Sequence, residues 1–86
     1  MIRPYSVFLH LEVAETLRSL RRSERDRVLR FAHLLSRDPF QSGDFQETDD
    51  RGRTNEVKIL RNLALVYYSD HAGSEVRLLE VRRAGV

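Results

Sequence analysis

The chain has 86 residues, with 15 Lys or Arg against 13 Asp or Glu, a formal net charge of +2 and no cysteine. That length predicts one domain over residues 1–86 with a modest core, and the missing cysteines exclude disulfide staples, thiolate metal ligands and thiol nucleophiles. His10, His33 and His71 are too scattered for a metal motif and no cofactor is expected; no apolar run is long enough to span a membrane and no signal-peptide pattern opens the chain, which reads as cytoplasmic.

Tyr5 to His10 alternates Tyr5, Val7 and Leu9 with Ser6, Phe8 and His10, the period of a strand with two unequal apolar faces. Val13, Leu17 and Leu20 then recur at helical spacing, and Arg21-Arg22 close that helix. Ser23, with Asp26 three residues on, has the form of an N-cap and capping box. The second helix carries Val28, Phe31, Ala32 and Leu35 on one face. It stops before Pro39, because the residue ahead of a proline disfavours helical backbone. So short a turn between two helices predicts an antiparallel hairpin.

From Asp38 to Asp50 the chain is acidic and polar. Gly43-Asp44 is a turn signal, Phe45 to Thr48 fits a short edge strand, and Arg51-Gly52 turns into the next strand. The segment lacks the ligand spacing of an EF-hand and reads as a solvated loop. Thr54 to Leu60 sets Val57 and Ile59 against Glu56 and Lys58, with the apolar pair expected to face the helices. Arg61-Asn62 is a tight turn in which Asn62 is expected to tolerate the positive φ. Leu63 to Ser69 is apolar on both sides, as a central strand is. After a loop over Asp70 to Ser74, Glu75 to Arg83 forms the last strand. Its parity does not decide which face is inward, and a bulge would mix the two.

The order is β-α-α-β-β-β. It describes an α+β fold in which a helical hairpin packs on one face of a small, mostly antiparallel, twisted sheet. The other face is expected to stay at least partly open, with the charges of the third strand pointing there.

Charge is unevenly placed: +4 over residues 1–37, −5 over 38–50 and +3 over 51–86. All bases but Lys58 are arginine, whose planar fork suits phosphate and carboxylate. Arg53, Lys58, Arg61, Arg82 and Arg83 recur on neighbouring strands and are expected to line the open face, where they would bind phosphates. The plainer alternative is a set of solvated charges that discourages strand-to-strand pairing. Of Tyr67 and Tyr68, one must face each way. Tyr68 is expected outward beside the cations, placed to stack on a base or to donate a proton. His71 follows Asp70, a pair of the kind that tunes a general base, although a solvated loop histidine is the commoner case. Glu56 is either a general base or a salt-bridge partner of Lys58. Several arginines cluster at the tip of the helical hairpin, where nucleic acid or an acidic protein could be met.

Four segments carry a family resemblance: PYSVFLHLEVAETLRSL, RFAHLLSRDPF, SGDFQETDDRGR and NLALVYYSDHAGSEVRLLEVRRA. In this order and spacing they resemble the RelE/ParE superfamily of toxins from bacterial type II toxin–antitoxin pairs, over nearly the whole chain. ALVYYSD followed by EVRLLEVRRA is the strongest part. The resemblance implies a plasmid-stabilisation-like toxin neutralised by a cognate antitoxin that wraps the same groove, as a heteromeric complex or a homodimer. In the RNA-cleaving branch, basic residues on the concave sheet hold mRNA in the ribosomal A site. Lys58 falls where that branch has a third-strand lysine, and Arg82 or Arg83 falls near its last-strand arginine. Ala64 stands near the position of its fourth-strand arginine, and no Tyr or His follows Arg83 in Ala84-Gly85-Val86. The implied activity is ribosome-dependent mRNA cleavage by an endoribonuclease. Lys58, Arg61, Arg82 and Arg83 would steady the phosphate, and Tyr68, Glu56 or His71 would move a proton. Non-catalytic inhibition of DNA gyrase, or antitoxin binding alone, is the alternative.

Overall fold

The computed structural model describes residues 3–84. Its elements are β1 (Ser6–Leu9), α1 (Leu11–Ser19), α2 (Arg22–Arg37), β2 (Phe45–Thr48), β3 (Thr54–Leu60), β4 (Leu63–Asp70) and β5 (Glu75–Arg83). This is the expected α+β arrangement, with the edge segment Phe45–Thr48 added to the sheet as a strand. The strand order is β1-β5-β4-β3-β2. β2, β3, β4 and β5 pair antiparallel in succession, whereas β1 lies parallel to β5 with Ser6 opposite Glu75. Parallel neighbours need a crossover, and the helical hairpin is part of it.

The two helices bury one stripe each. Val13 and Leu17 of α1, with Leu20, join Val28, Phe31, Ala32 and Leu35 of α2 against Leu63, Leu65 and Tyr67 of β4 and Val76, Leu78 and Val81 of β5. The spacing of these residues places them on one side of each helix. The Tyr67 ring meets Phe31 edge-on, with centroids 5.8 Å apart. The helices lie over β5 and β1, so β3 and β2 extend beyond their cover.

The start of α2 departs from expectation. Arg21, in extended conformation, is the N-cap in place of Ser23. Glu24 takes the role assigned to Asp26: its carboxylate accepts the Arg21 N–H at 3.0 Å. The same carboxylate also accepts Asn62 Nδ2 at 2.7 Å and Arg83 Nη1 at 2.5 Å. Partners on the sheet therefore fix where the helix begins.

β3 also turns its faces the opposite way. Glu56 pairs with Tyr67 and Lys58 with Leu65, so these polar residues lie on the helix side. Val57 and Ile59 pair with Val66 and Ala64 and face away. The apolar-inward rule fails here because the helices lie mainly over β5 and β1 and reach β3 only through side chains, Phe31 near Lys58 and Arg27 at Leu60, so polar groups fit on its helix side. The far face has an apolar cluster of its own, Val57, Ala64 and Val66, packed by Leu79. A bulge supplies Leu79: Tyr67 pairs with Leu78 and Val66 with Glu80, leaving Leu79 as the extra residue. The sheet coils so strongly that Arg82 of β5 reaches Glu47 of β2 across β4 and β3, a strap over the far-face cluster.

Two tight places follow from the pairing. A methyl group on Gly43 would come 2.5 Å from the Val57 carbonyl oxygen, so only glycine fits there. In the β3–β4 turn the positive φ, 61°, belongs to Arg61 and not to Asn62. Asn62 is instead held by its side-chain bonds to Glu24 and, at 2.9 Å, Arg27.

Candidate functional site

On the face away from the helices, guanidinium and aromatic groups alternate across the sheet. Arg53, just ahead of β3, lays its guanidinium 4.3 Å from the centroid of Tyr68 in β4. Tyr68 pairs in register with Arg77 of β5. The Arg77 guanidinium in turn lies 5.1 Å from the ring centroid of Phe8, its register partner in β1. Glu75 bonds Arg77 at 2.7 Å and raises its pKa further, so this cation is permanent. Arg53 and Tyr68 are legible from the sequence as site residues. Arg77 and Phe8 are not, because their place depends on the bulge in β5 and on the pairing of the two ends of the chain.

The five cations expected on one open face do not share a surface. Arg53 and Arg82 lie on the far face, and Arg82 is bonded to Glu47 with Glu80 at 3.7 Å. Lys58 lies on the helix side, its Nζ 3.6 Å from Asp44 and 5.8 Å from the Phe31 ring centroid. Arg83, placed on the helix side by the bulge, is bonded to Glu24. Arg61 sits in the β3–β4 turn, beside Arg27 and Arg30 of α2. The reversed parity of β3 and the bulge in β5 account for this scatter.

Glu56, Tyr68 and His71, the three proton-transfer candidates, all border one small cleft with Phe40 and Tyr67. Glu56 is already occupied: it accepts the Gly43 N–H at 2.8 Å and Gln46 Nε2 at 2.7 Å, and the ion pair expected with Lys58 goes to Asp44 instead. Tyr67 donates to the Gln41 carbonyl at 3.0 Å, and Ser69 to that of Pro39 at 2.7 Å. Burial, and the nearby carboxylates Glu56, Asp44 and Asp38, push the Tyr67 phenol up to about 12. These bonds pin the connection after α2 onto β4. His71 stacks on Phe40 at 4.2 Å, and its Nδ1 lies 3.0 Å from the Tyr5 hydroxyl, leaving Nε2 outside that bond. Asp70 does not orient His71; its Oδ1 accepts the Gly73 N–H and closes the loop.

The acidic stretch is more built than a solvated loop. Asp44 accepts the Ile59 N–H at 2.6 Å, and Asp49 accepts the N–H groups of Arg51 and Arg53 at 2.9 Å each. The Arg53 N–H is the largest cause of the lowered Asp49 pKa. Asn55, buried beside this turn, donates to Asp49 at 3.3 Å, while its Oδ1 has no partner. Glu24 shows the same logic more strongly. Hydrogen bonds from Asn62, then the Arg21 N–H and Arg83, hold its carboxyl at about 2, below the ordinary 4.5. Among the described residues no three His, Asp or Glu gather as a metal-holding group.

No family model matches the chain, and no curated protein matches it. Solved structures do. A chain of the RelBE2 toxin–antitoxin complex from Mycobacterium tuberculosis superposes with a TM-score of 0.77 at 23% identity, over 94% of this chain and 99% of that one. A chain of the archaeal RelE–RelB complex from Pyrococcus horikoshii gives 0.79 at 19%, over 95% and 97%. The chain has a RelE-like fold. A chain of the intact RelBE toxin–antitoxin complex of E. coli agrees, with a TM-score of 0.71 at 17% identity, over 95% of this chain and 99% of that one. Within the RelE-like fold, the ends of both helices and all five strands fall inside the described residues, and no helix is long and apolar enough to cross a membrane. The expectation that no Tyr or His follows Arg83 concerns Ala84-Gly85-Val86, of which Gly85 and Val86 lie outside the described residues.

Proposed function

We propose that the chain is the toxin of a type II toxin–antitoxin pair and inhibits translation as a ribosome-dependent mRNA endonuclease, held in check by a cognate antitoxin. The observation that carries this reading is the Arg53–Tyr68–Arg77–Phe8 row. Alternating guanidinium and aromatic groups suit single-stranded RNA: rings stack on bases, at about 1–3 kcal/mol per base, while Arg53, which has no carboxylate within ion-pair distance among the described residues, takes a phosphate beside them. The RelE-like fold supports the toxin assignment, since the similar structures are toxin–antitoxin complexes.

In this reading the 2′-hydroxyl of the RNA attacks the adjacent phosphorus, and the bond from phosphorus to the 5′ oxygen breaks. The products are a 2′,3′-cyclic phosphate and a free 5′-hydroxyl. The protein need only position the strand, stabilise charge and move a proton. His71, through Nε2, takes the 2′-hydroxyl proton. Tyr68 returns one to the leaving oxygen, and Arg53 steadies the charge that develops on the phosphate. Glu56 is left out because both of its oxygens already accept hydrogen bonds.

Tyr68→Phe and His71→Ala should each slow mRNA cleavage by about 100-fold or more on purified ribosomes, the usual scale for a lost acid or base. If both variants cleave at the wild-type rate, this site does not perform the reaction. One observation favours a second reading. Lys58, Arg82 and Arg83 are matched with Asp44, Glu47 and Glu24 and so do not stand ready for a phosphate. Inhibition of DNA gyrase needs no free catalytic cation, and it predicts loss of supercoiling in vitro with no RNA cut.

A further inference from the structure

Four of the strand cations are already matched to carboxylates of the same chain: Lys58 to Asp44, Arg77 to Glu75, Arg82 to Glu47 and Arg83 to Glu24. One group of arginines is not. Arg27, Arg30 and Arg61 converge on a cleft between the first turns of α2 and the β3–β4 turn, with Ser23 and Asp26 at its border. Among the described residues none of the three has a carboxylate within ion-pair distance, Asp26 included. Arg27 is anchored by bonds to the Leu60 carbonyl at 3.2 Å and to Asn62 Oδ1 at 2.9 Å, so it forms a fixed wall. Arg30 and Arg61 have no such anchor.

Arg61 also bears a local cost. Its φ of 61° lies in the left-handed region, which suits glycine or asparagine far better than arginine. The next residue is an asparagine, and it does not take that conformation. Nothing within the chain repays the strain through the Arg61 side chain, which makes no hydrogen bond or ion pair among the described residues. A ligand that uses the guanidinium at the mouth of this cleft accounts for both facts.

We infer that this cleft is a second anion site, separate from the Arg53–Tyr68 row, that takes phosphodiester groups of an RNA backbone through Arg30 and Arg61. No aromatic side chain borders it, so nothing there can stack on a base. The ligand is read by its phosphates, and duplex RNA, whose bases are hidden, fits that chemistry. Two unpaired guanidinium forks lining one cleft suit the oxygens of phosphates along one strand.

The test is binding of a short, fluorescently labelled RNA duplex to the full chain, followed by anisotropy over a range of salt. Arg61→Gly and Arg30→Gln should each weaken binding about five- to tenfold, and flatten the slope of log affinity against log salt by about 0.9 per cation removed. Arg61→Gly should melt at the same or a higher temperature, because glycine accepts the left-handed backbone; its lost affinity is then not lost folding. Arg51→Gln removes the same charge from the β2–β3 turn and should leave affinity and slope unchanged. Wild-type binding by Arg61→Gly overturns the assignment, and so does an equal loss from Arg51→Gln. An acidic peptide that binds in an Arg61-dependent way where the duplex does not would give the cleft to a protein partner, which also overturns it. Because the duplex offers no unstacked base and no cleavage is scored, the outcome is independent of whether the row acts on mRNA.

Discussion

Glu24 ties the start of α2 to one end of the β4–β5 ladder, where β4 begins and β5 finishes, through Arg21, Asn62 and Arg83. Its folded pKa of about 2 lies below the ordinary 4.5, so the unfolded chain binds the proton more readily. The stability contributed by this carboxylate is therefore full above about pH 4.5 and is lost as the pH falls through about 2. Urea midpoints measured across that window should drop in the wild type. In Glu24→Gln they should start lower at neutral pH and change less in acid. Asn55 gives a second test. Its buried Oδ1 has no partner, a defect that costs about 1–3 kcal/mol, so Asn55→Leu should melt no lower than the wild type. Single residues are where the sequence was least legible. Tyr68 does face out as expected, although that expectation leaned on Val57 and Ile59 facing the helices, which they do not. Beyond the Arg21 N–H three residues back, the partners of Glu24 lie 38 and 59 positions away, where no local pattern shows them.

β3 and β5 decide what each face of the sheet presents. The six elements of the β-α-α-β-β-β order can be read from periodicity and turn residues, with Phe45–Thr48 legible beside them only as a short edge segment, and the bounds of β2, β3 and β5 agree with that reading. The facing of β3 cannot. Alternation says only that two faces differ, and which one is buried depends on how far the helices reach and on how the sheet coils. The strap between Glu47 and Arg82 shows the result. Glu47→Gln should change stability by less than about 1 kcal/mol, since both side chains are more than a third exposed. It should also free Arg82 and raise affinity for a labelled single-stranded RNA. The Gly43 crossing is the opposite case. Gly43→Ala drives a methyl into the Val57 backbone, and should cost about 1–3 kcal/mol in urea unfolding and disturb the bond from Gly43 to Glu56.

The whole fold rests on a small core, and its cost of damage is correspondingly high. Leu35 is fully buried between the helices and the sheet, so Leu35→Ala should lose about 2–5 kcal/mol, a large share of what a chain of this size has. The parallel pairing of β1 with β5 adds a constraint of a different kind. Ser6 has its partner in Glu75 and Phe8 has its partner in Arg77, so the first strand made finds its neighbour only in the last. Contacts this distant in sequence form late. During synthesis β1 must wait, unpaired, until β5 has left the ribosomal exit tunnel. Only then does the Phe8–Arg77 end of the row exist. A protein proposed to act on ribosomes therefore completes this surface only once β5 is free of the ribosome that made it.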